Sequence, residues 1–440
     1  MPAADPFWSA LSPTGIGRAE IDRLTSAALA DIGARERRFL VVVPDATRKL
    51  PLPPVFAAIR AALSGRLERL DALIAQGTHP AMGARAKRRW VLGQNTAADL
   101  EIFDHDWDDD AALVTIGSLS LDDQLERFGR HRVHAGLLGF DREMAIRVNR
   151  RLLEYDRVIL LTRVQPHEVA GYAGGAKQIF PGVSGPEMIE LLHAIGSLHT
   201  NRAIHGVLPN PVRDLIDDLA ALVPTPLTTF CLVLDDAGGA IRGVYAQNDG
   251  WRESTAAAAA LSAQINIRYA PRRVRRLIAA MPRRPDGSWV YPDLWTGAKG
   301  VLKTEDVVAD GGELVVWAPN IDHISAAHGE LIRRIGYHSY AYFFAFPERW
   351  QAAGATPLAL NGSTLMKGEG RMEGSGELPR IDVRIATAIP PDECRALNIG
   401  YENPAAVANE IESSAADTIE DDRLVVRDAG DALWRYRPSA

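Results

Sequence analysis

Arg157-Val-Ile-Leu-Leu-Thr162 is the stretch that decides the fold, because a glycine-rich loop of chemically active residues follows it. Its apolar, β-branched character predicts a buried strand. The loop starts at His167, reads His-Glu-Val-Ala-Gly-Tyr-Ala-Gly-Gly-Ala-Lys and so ends in Lys177. In open α/β sheets, ligands bind beyond the carboxyl ends of the strands. The position and the residue types of this loop therefore both indicate a functional site.

The same order of strand and polar loop occurs twice earlier in the chain. Phe39-Leu-Val-Val-Val-Pro44 precedes Asp45-Ala-Thr47-Arg48, and a helical pattern follows from Val55 to Leu63. Leu70-Asp-Ala-Leu-Ile-Ala75 precedes Gly77-Thr78-His79. Short β-branched runs that alternate with helical stretches are typical of parallel α/β units. We therefore expect the three polar loops to meet at one edge of a parallel sheet.

The length of 440 residues exceeds one ordinary core, so we expect an α/β protein of two domains with a cofactor and substrate cleft between them. The first domain, residues 1–268, would carry the histidines and the lysine. The second, residues 269–397, contains three strand-like runs, Leu277–Ala280, Leu314–Trp317 and Arg380–Ala386. Residues 398–440 form an acidic tail that begins with a helical pattern, and the sequence leaves open whether the tail packs back on the first domain.

Composition and charge exclude several classes of protein. Hydrophobic residues make up 47% and charged residues 24% of the chain, the balance of a soluble globular enzyme. The net charge of −7 without long basic runs predicts no nucleic acid or membrane partner. Two cysteines cannot form a disulfide framework, which is typical of a reducing compartment. With no leader-like start and no apolar run of membrane-spanning length, we expect a cytoplasmic protein.

The glycine-rich loop fits none of the common nucleotide or hydrolase motifs. Gln178 follows Lys177 where a P-loop has Ser or Thr, and the glycine spacing differs from the dinucleotide fingerprint. Neither G-x-S-x-G nor H-E-x-x-H occurs. Ser184-Gly-Pro186-Glu187 matches a capping box and predicts a helix, with His193 on it, whose positive end favours an anion beside the loop.

Taken singly, these residues have ordinary explanations, since a histidine after a strand is usually structural. Jointly, the motifs resemble those of the lactate racemase family, in an order and spacing that match from Asp45 to beyond Lys299. The motifs that carry the resemblance are Asp45-x-Thr47-Arg48, Gly77-Thr78-His79, His167 with the Gly174-Gly175-Ala-Lys177 turn, Pro181-Gly-Val-Ser184, His193 and Asn210-Pro211. The resemblance implies an isomerase, a racemase or epimerase of a small-molecule 2-hydroxy acid.

The resemblance also implies a cofactor, the nickel-pincer nucleotide (nickel pyridinium-3-thioamide-5-thiocarboxylate mononucleotide). Lys177 would be its covalent attachment point and His193 the protein ligand to nickel, since the cofactor supplies the other three donors. The further residues implied to contact the cofactor are Asp45, Thr47, Gly174, Gly175 and Ser184. Asp45 would orient either a neighbouring side chain or the cofactor ribose. Cofactor-synthesis proteins, namely a pyridinium carboxylase, a sulfur insertase and a nickel insertase, would be partners.

For the reaction, the resemblance implies that His79 and His167 are paired acid/base groups on opposite faces of the substrate. One imidazole takes the hydroxyl proton while the carbon-bound hydrogen leaves as hydride to the cofactor. The hydride then returns to the other face of the 2-keto intermediate, and the second imidazole supplies the proton. Arg48 and Lys299 would hold the substrate carboxylate and polarise the developing oxyanion.

The chain departs from the family pattern at Trp295-Thr296, where lactate racemases typically have Tyr-Gln. A larger apolar face and a shorter polar side chain predict substrate contacts that favour an acid bulkier or less polar than lactate. Repacking of neighbouring residues is the alternative. Two other functions stay open: a hydride-transfer enzyme that uses the same cofactor on a different alcohol, and a noncatalytic protein that binds the cofactor or a metabolite. Retention of both His79 and His167 argues against the noncatalytic protein.

Overall fold

The computed structural model describes residues 7–79, 81–94, 99–235, 239–284, 286–325 and 328–438. Residues 1–6, part of the start in which we expect no leader, lie outside these ranges. The chain separates into two compact units. The first unit comprises Met1–Arg127, Arg142–Leu192 and His205–Asn266, and the second comprises Phe128–Asp141, His193–Ile204 and Ile267–Ala440.

The first unit is built on a seven-stranded sheet with helices against it. The strands up to residue 266 are β1 (Trp8–Leu11), β2 (Arg38–Pro44), β3 (Arg69–Ala75), β4 (Ile102–Phe103), β5 (Leu113–Leu119), β6 (Met144–Asn149), β7 (Arg157–Arg163), β8 (Pro166–His167), β9 (Gly171–Tyr172), β10 (Leu227–Leu234) and β11 (Ile241–Asn248). The helices over the same part of the chain are α1 (Arg18–Ala30), α2 (Leu52–Leu63), α3 (Ala84–Leu92), α4 (Leu121–Phe128), α5 (Pro186–Leu198), α6 (Asn201–Ile204), α7 (Pro211–Ala220) and α8 (Arg252–Asn266).

The strand order of this sheet is β1-β11-β10-β7-β2-β3-β4. Strands β10, β7, β2, β3 and β4 run parallel, whereas β11 is antiparallel to both β10 and β1. The predicted strands over residues 39–44, 70–75 and 157–162 are confirmed as β2, β3 and β7, and these three are neighbours in the sheet. Their carboxyl ends, and the polar loops that follow them, therefore lie along one edge.

Packing on both faces explains why the central strands are apolar throughout. Val41 of β2 belongs to a buried cluster with Phe56 and Ile59 of α2. A second cluster joins Cys231 of β10 to Ala258 of α8. Because each fully buried Val, Ile or Phe side chain contributes about 1.5–3 kcal/mol relative to exposure, this core fixes the strand ends that position the loops.

The second unit has its own six-stranded sheet, in the order β18-β17-β14-β13-β20-β19. The strands from residue 267 onward are β12 (Ile267–Ala270), β13 (Val274–Ala280), β14 (Val308–Ala318), β15 (Gly370–Glu373), β16 (Gly376–Pro379), β17 (Asp382–Thr387), β18 (Gly400–Tyr401), β19 (Ile419–Glu420), β20 (Arg423–Val426) and β21 (Leu433–Tyr436). The helices are α9 (Leu294–Gly297), α10 (Lys299–Leu302), α11 (Gly329–Ile335), α12 (Tyr340–Ala345), α13 (Pro347–Gln351), α14 (Pro357–Leu365), α15 (Pro391–Ala396) and α16 (Pro404–Glu412).

The C-terminal tail is part of this second unit. After α16, β20 pairs parallel with β13, and β21 pairs parallel with β12. Leu424 and Val425 of β20 are buried in the sheet, so the tail completes a core of the second unit. The cleft expected between the two domains stays a prediction. None of the helices in the described parts of the chain is long and apolar enough to cross a membrane.

Candidate active site

The chain turns at Asp45, directly after β2. Asp45 Oδ1 accepts hydrogen bonds from the backbone N–H of Thr47, at 2.8 Å, and from the Thr47 hydroxyl. This Asx turn fixes the carboxylate. The other carboxylate oxygen, Oδ2, lies 2.7 Å from His79 Nδ1. The Asp45 side chain is 7% exposed and that of His79 is 46% exposed, so a nearly buried carboxylate orients an accessible imidazole.

The hydrogen bonds of Asp45 keep it ionised. Burial would raise the pKa of Asp45, but the hydrogen bond and charge of His79, the Thr47 hydroxyl and the charge of Arg48 lower this pKa to about 2. Of the two roles expected of Asp45, the contact with His79 supports the orientation of a neighbouring side chain. Thr47 contributes by holding the carboxylate in place.

The loop after β3 is joined to the loop after β7. The N–H of Gly77 donates to Gly182 O at 3.1 Å, and the N–H of His79 donates to Gln76 O at 3.0 Å. Gly77 has a φ of +55°, a left-handed conformation that glycine adopts without a steric penalty. The three polar loops thus lie together at the sheet edge, as expected.

The glycine-rich loop consists of the small β8–β9 hairpin and one 3₁₀ turn, Gly175–Gln178, that carries Lys177. Gly174 and Gly175 both have positive φ, +95° and +59°. A Cβ atom on Gly175 would lie 2.3 Å from Oγ1 of Thr255, a residue of α8. Only glycine therefore fits at this position.

Arg213 holds the same turn and was missed in the sequence. It is 3% exposed, and its guanidinium donates to Gly174 O at 3.1 Å through Nη1 and to Tyr172 O through Nη2. Asn210 starts α7 by accepting hydrogen bonds from the N–H groups of Val212 and Arg213. The Asn210-Pro211 motif therefore positions Arg213. The signal in the sequence was that Arg213 lies among Val212, Leu215 and Ile216, the apolar residues that mark the buried side of α7.

Lys177 lies in an environment that disfavours its charge. Burial is the largest cause, and with the charges of Arg48 and Arg213 it lowers the pKa of Lys177 to about 7, against the opposing charges of Glu168 and Asp45. An ordinary lysine has a pKa of about 10.4. Lys177 is therefore partly neutral, and hence nucleophilic, at neutral pH.

His167 is 8% exposed and its Nδ1 accepts a hydrogen bond from the N–H of Val169 at 3.1 Å. Burial lowers the pKa of His167 well below its ordinary value, and the charges of Lys177 and Arg48 add to this effect while Glu168 opposes it. His167 is therefore neutral at physiological pH.

The helix predicted after Ser184 is confirmed as α5, but the predicted capping box is wrong. The N–H of Gly185 donates to Arg147 O, and the carboxylate of Glu187 accepts from the Arg147 guanidinium. Ser184 is fully buried; its Oγ donates to Pro181 O at 3.4 Å, and its carbonyl oxygen lies 3.0 Å from His105 Nε2. A contact between Ser184 and the cofactor stays a prediction.

The second unit contains four of the predicted site residues, His193, Trp295, Thr296 and Lys299. Helix α14 contacts two of them. Asn361 Nδ2 donates to His193 O at 3.2 Å. The next residue, Gly362, packs so closely on Trp295 that a Cβ there would lie 2.0 Å from Trp295 Cη2. Adjacent residues of one helix thus position the backbone of His193 and the ring of Trp295.

Thr296 lies within the short helix α9, and Lys299 is the first residue of α10. The Thr296 hydroxyl donates to Asp293 Oδ1 at 2.5 Å, and the Thr296 N–H donates to the same oxygen at 2.9 Å. The polar group of Thr296 is thus used within the protein, which favours local repacking over substrate contact at this residue. Lys299 Nζ lies 5.7 Å from the ring centroid of Tyr291, and the ring centroid of Trp295 lies 4.3 Å from that of His328. Substrate contacts of Lys299 and Trp295 stay predictions.

Sequence comparison identifies relatives of this chain. The model of the lactate racemase N-terminal domain matches residues 16–130 and 135–206. A lactate racemase of Thermoanaerobacterium thermosaccharolyticum is 24% identical over 207 residues, which are 46% of this chain and 43% of that protein. The chain thus matches less than half the length of that relative. The matched ranges contain the loops of Asp45, His79 and Lys177.

Structural comparison extends the likeness over almost the whole chain. A solved structure of a Thermotoga maritima protein superposes with a TM-score of 0.81 at 25% identity, covering 97% of this chain and 100% of that chain. The lactate racemase apoprotein of T. thermosaccharolyticum superposes with a TM-score of 0.66 at 16% identity, covering 94% and 93%. The second likeness concerns the fold alone, and it supports the α/β architecture.

Proposed function

We propose that this chain, which matches the lactate racemase N-terminal domain over residues 16–130 and 135–206, racemises or epimerises a 2-hydroxy acid by reversible proton-coupled hydride transfer. The observation that supports this most strongly is the meeting, at one sheet edge, of His79 backed by Asp45 with the loop of His167 and Lys177. Oxidation of an alcohol requires a group that removes the hydroxyl proton, and an imidazole oriented by a carboxylate does this near neutral pH. A protein that only binds a metabolite has no need of such a pair.

The residues of the chain fit a nickel-pincer nucleotide attached at Lys177. A lysine with a pKa of about 7 offers the neutral amine that bond formation requires. Within the described parts of the chain, no three His, Cys, Asp or Glu side chains cluster in a way that could hold a metal ion. A cofactor that brings three donors of its own needs a single imidazole, for which we propose His193. When bound, the cofactor would accept the carbon-bound hydrogen as hydride and return it.

The substrate contacts proposed for this chain involve two cations and one aromatic ring. Arg48 lies in the same turn as Asp45, whose carboxylate contacts His79. We propose that the Arg48 guanidinium binds the carboxylate of the substrate, because a guanidinium can donate two parallel hydrogen bonds to a carboxylate. Lys299 would supply a second positive charge. Trp295, held by Gly362, would present an apolar face that favours a substrate bulkier or less polar than lactate. We place the enzyme in the cytoplasm, where the cofactor-synthesis proteins would load it.

Intact-protein mass spectrometry with nickel analysis tests the proposed cofactor. The chain is co-produced with the cofactor-synthesis proteins and compared with Lys177→Ala and with Lys49→Ala, a control that removes an exposed lysine. We expect a covalent adduct and nickel in the wild type and in Lys49→Ala but not in Lys177→Ala. Absence of an adduct under conditions that load a known lactate racemase would refute the proposal.

Chiral chromatography of loaded enzyme with single enantiomers of 2-hydroxy acids tests the reaction. We expect the other enantiomer to appear, with a higher kcat/KM for acids with larger apolar side chains than for lactate. Trp295→Tyr, a smaller ring with a polar group, should shift this preference toward lactate. Net oxidation of the alcohol without inversion would instead identify the enzyme as an oxidoreductase that uses the same cofactor.

A further inference from the structure

We propose that the second unit contains a binding site for a phosphate group, formed by Arg202, Arg273 and Arg435. These arginines line a cleft of about 380 Å³ whose other charged residues are Asp306 and Glu369. A cleft of this size accommodates a small metabolite. The ligand would be inorganic phosphate or a small phosphate monoester. All of the lining residues belong to the second unit, so this site is separate from the loops that follow β2, β3 and β7.

Asp306 holds the three guanidiniums in place. Its Oδ1 accepts hydrogen bonds from Arg202 Nε at 3.1 Å and from Arg273 Nη2 at 3.2 Å. Its Oδ2 lies 3.2 Å from Arg435 Nε and accepts a hydrogen bond from the N–H of Tyr436 at 3.0 Å. Burial would raise the pKa of Asp306, but the charge of Arg435 and these hydrogen bonds lower it. The arginines are therefore ordered before a ligand arrives, which reduces the entropy cost of binding.

Two of these guanidiniums keep N–H groups that the protein does not use. Arg202 donates through Nε and Nη1, and Arg273 donates through Nε and Nη2. Arg202 Nη2 and Arg273 Nη1 have no hydrogen-bond partner in the parts of the chain that the structure describes. The two side chains are 22% and 32% exposed. The Tyr436 ring, 4.2 Å from Arg273 Cζ, covers one face of that guanidinium but leaves the N–H groups in its plane available.

The charges of the cleft favour an anion. Three arginines face two carboxylates, so one positive charge is not matched among the lining residues. The Glu369 carboxylate makes only long contacts with Arg202 Nη1, at 3.3 and 3.4 Å, and it also accepts from the Thr200 hydroxyl at 3.2 Å. A dianion would bind Arg202 more strongly than this carboxylate does. Glu369 thus competes with the ligand, and its departure would release the Thr200 hydroxyl as a further donor.

The arrangement of the donors favours a phosphate group over a carboxylate. Arg202 and Arg273 contact the same oxygen of Asp306, so their guanidiniums are neighbours although they come from distant parts of the chain. A carboxylate has two oxygens in one plane, which a single guanidinium can satisfy. A phosphate monoester has three terminal oxygens and a charge of about −1.5 to −2 at pH 7. It can therefore accept from both guanidiniums at once.

A bound phosphate group would stabilise the segment that carries His193. Arg202 lies on α6, within residues 193–204, whereas Arg273 directly precedes β13. A ligand that joins the two arginines binds this segment only while it is ordered, so it opposes local opening. A phosphorylated metabolite would thus act as an effector that changes the order of residues 193–204.

Isothermal titration calorimetry of the full chain with inorganic phosphate, without cofactor and at constant ionic strength in chloride, tests the site. We expect saturable binding that Arg273→Met weakens by about tenfold or more, because charged hydrogen bonds are lost. Arg333→Met removes an exposed, ion-paired arginine outside the cleft and should bind phosphate as the wild type does. Glu369→Gln should tighten binding by about two- to fivefold, a gain that misfolding cannot produce.

The absence of saturable binding in both the wild type and Glu369→Gln would overturn the proposal. Loss of binding in Arg48→Met but not in Arg273→Met would also overturn it, because phosphate would then occupy the proposed active site. Glycerol 3-phosphate and AMP distinguish the sources of the ligand. Tighter binding of either ester would support a phosphate monoester, and tighter binding of inorganic phosphate would support the free ion.

Hydrogen exchange measures the effect on residues 193–204. At a phosphate concentration ten times Kd, we expect exchange over this segment to be slower by up to about tenfold in the wild type. The same phosphate concentration should have no effect in Arg273→Met. Binding without any change of exchange over 193–204 would contradict the effector role. Neither measurement needs the cofactor, so a chain that never forms the adduct would end the proposed function and leave this site testable.

Discussion

Lys177 shows how the surroundings of one residue change its chemistry. Because its pKa is about 7, an amine reagent such as acetic anhydride should modify Lys177 with a half-maximal rate near pH 7. The six lysines of the chain allow the label to be located by peptide mass spectrometry. Exposed Lys49, two residues after Thr47, serves as the reference to which labelling of Lys177 is compared in the same sample.

The cause of this shift can be tested by removing one charge. Arg48 is the largest charged contributor after burial, so Arg48→Met should move the half-maximal pH of Lys177 labelling upward. Lys87, on α3, serves as the reference for labelling of this variant, because Lys49 is adjacent to Arg48 in the chain. A midpoint that stays near pH 7 in Arg48→Met would mean that the charge of Arg48 does not contribute to the lowered pKa of Lys177.

Asp45 should make stability depend on pH. Its pKa is lowered from an ordinary value of 3.8 to about 2, so its ionised form favours the folded state at pH values above about 4. This contribution, about 2 kcal/mol at pH 7, is lost as the pH falls from about 4 to about 2, and about half of it remains at pH 3. We expect Asp45→Asn to lower the free energy of unfolding by that amount at pH 7 and by less at pH 3, measured with urea. A constant difference would contradict the ionised pair.

Some residues of the candidate site could be predicted from the sequence, and others could not. Asp45, His79, His167 and Lys177 each follow a strand, so their place at one edge could be predicted from the order of strands and loops. Arg213 and Thr255 hold the same turn from helices far along the chain, and such contacts depend on helix packing. No local pattern around Thr255 distinguishes it from any other helical threonine.

At the scale of elements, the 3₁₀ turn that carries Lys177 depends on glycine. Gly175→Ala would force a residue with a side chain into φ of +59° and bring its Cβ within 2.3 Å of Thr255 Oγ1. We expect a loss of about 2–4 kcal/mol in unfolding free energy, from the backbone strain and the clash together. Adding Thr255→Ala to Gly175→Ala should restore the part of the unfolding free energy that the clash removes. A double-mutant cycle of the two substitutions measures this part. Additive effects of the two substitutions would show that Thr255 does not limit the turn.

The residue at which a helix begins was harder to predict than the presence of the helix or strand itself. The strands β2, β3 and β7 follow from their apolar runs, and α5 follows from its proline and helical pattern. The capping box failed because Arg147, on β6, takes the Glu187 carboxylate with a charge-assisted bidentate contact. The Glu187 carboxylate thus binds a guanidinium from a distant strand instead of a local backbone N–H. No residue near Ser184 in the sequence indicates this contact.

For the whole molecule, contiguous domains were the natural expectation from the sequence, yet the chain passes between the two units five times. The short segments 128–141 and 193–204 belong with residues 267–440 because of long-range contacts. His134 stacks on Phe344 with a centroid distance of 3.9 Å, and Arg202 pairs with Asp306 at 3.1 Å. Such pairings carry no local sequence pattern, so the four earlier passages could not be predicted from the sequence.

The segment 193–204 should therefore lose its order when residues 267–440 are removed. Asp306, 9% exposed, pairs with Arg202, Arg273 and Arg435, and Arg435 also donates to Arg202 O at 2.8 Å. In a fragment of residues 1–266, the partners of Arg202 are missing, so we expect hydrogen exchange over 193–204 to become faster by at least about tenfold, while β2 and β7 stay protected. In the full chain, Asp306→Asn should also make hydrogen exchange over 193–204 faster, but to a smaller extent. Asp310→Asn is the control: it alters a carboxylate that is 82% exposed and should leave this exchange rate unchanged. Equal protection of 193–204 in the fragment and the full chain would show that this segment, with His193 on it, is ordered by the first part of the chain alone.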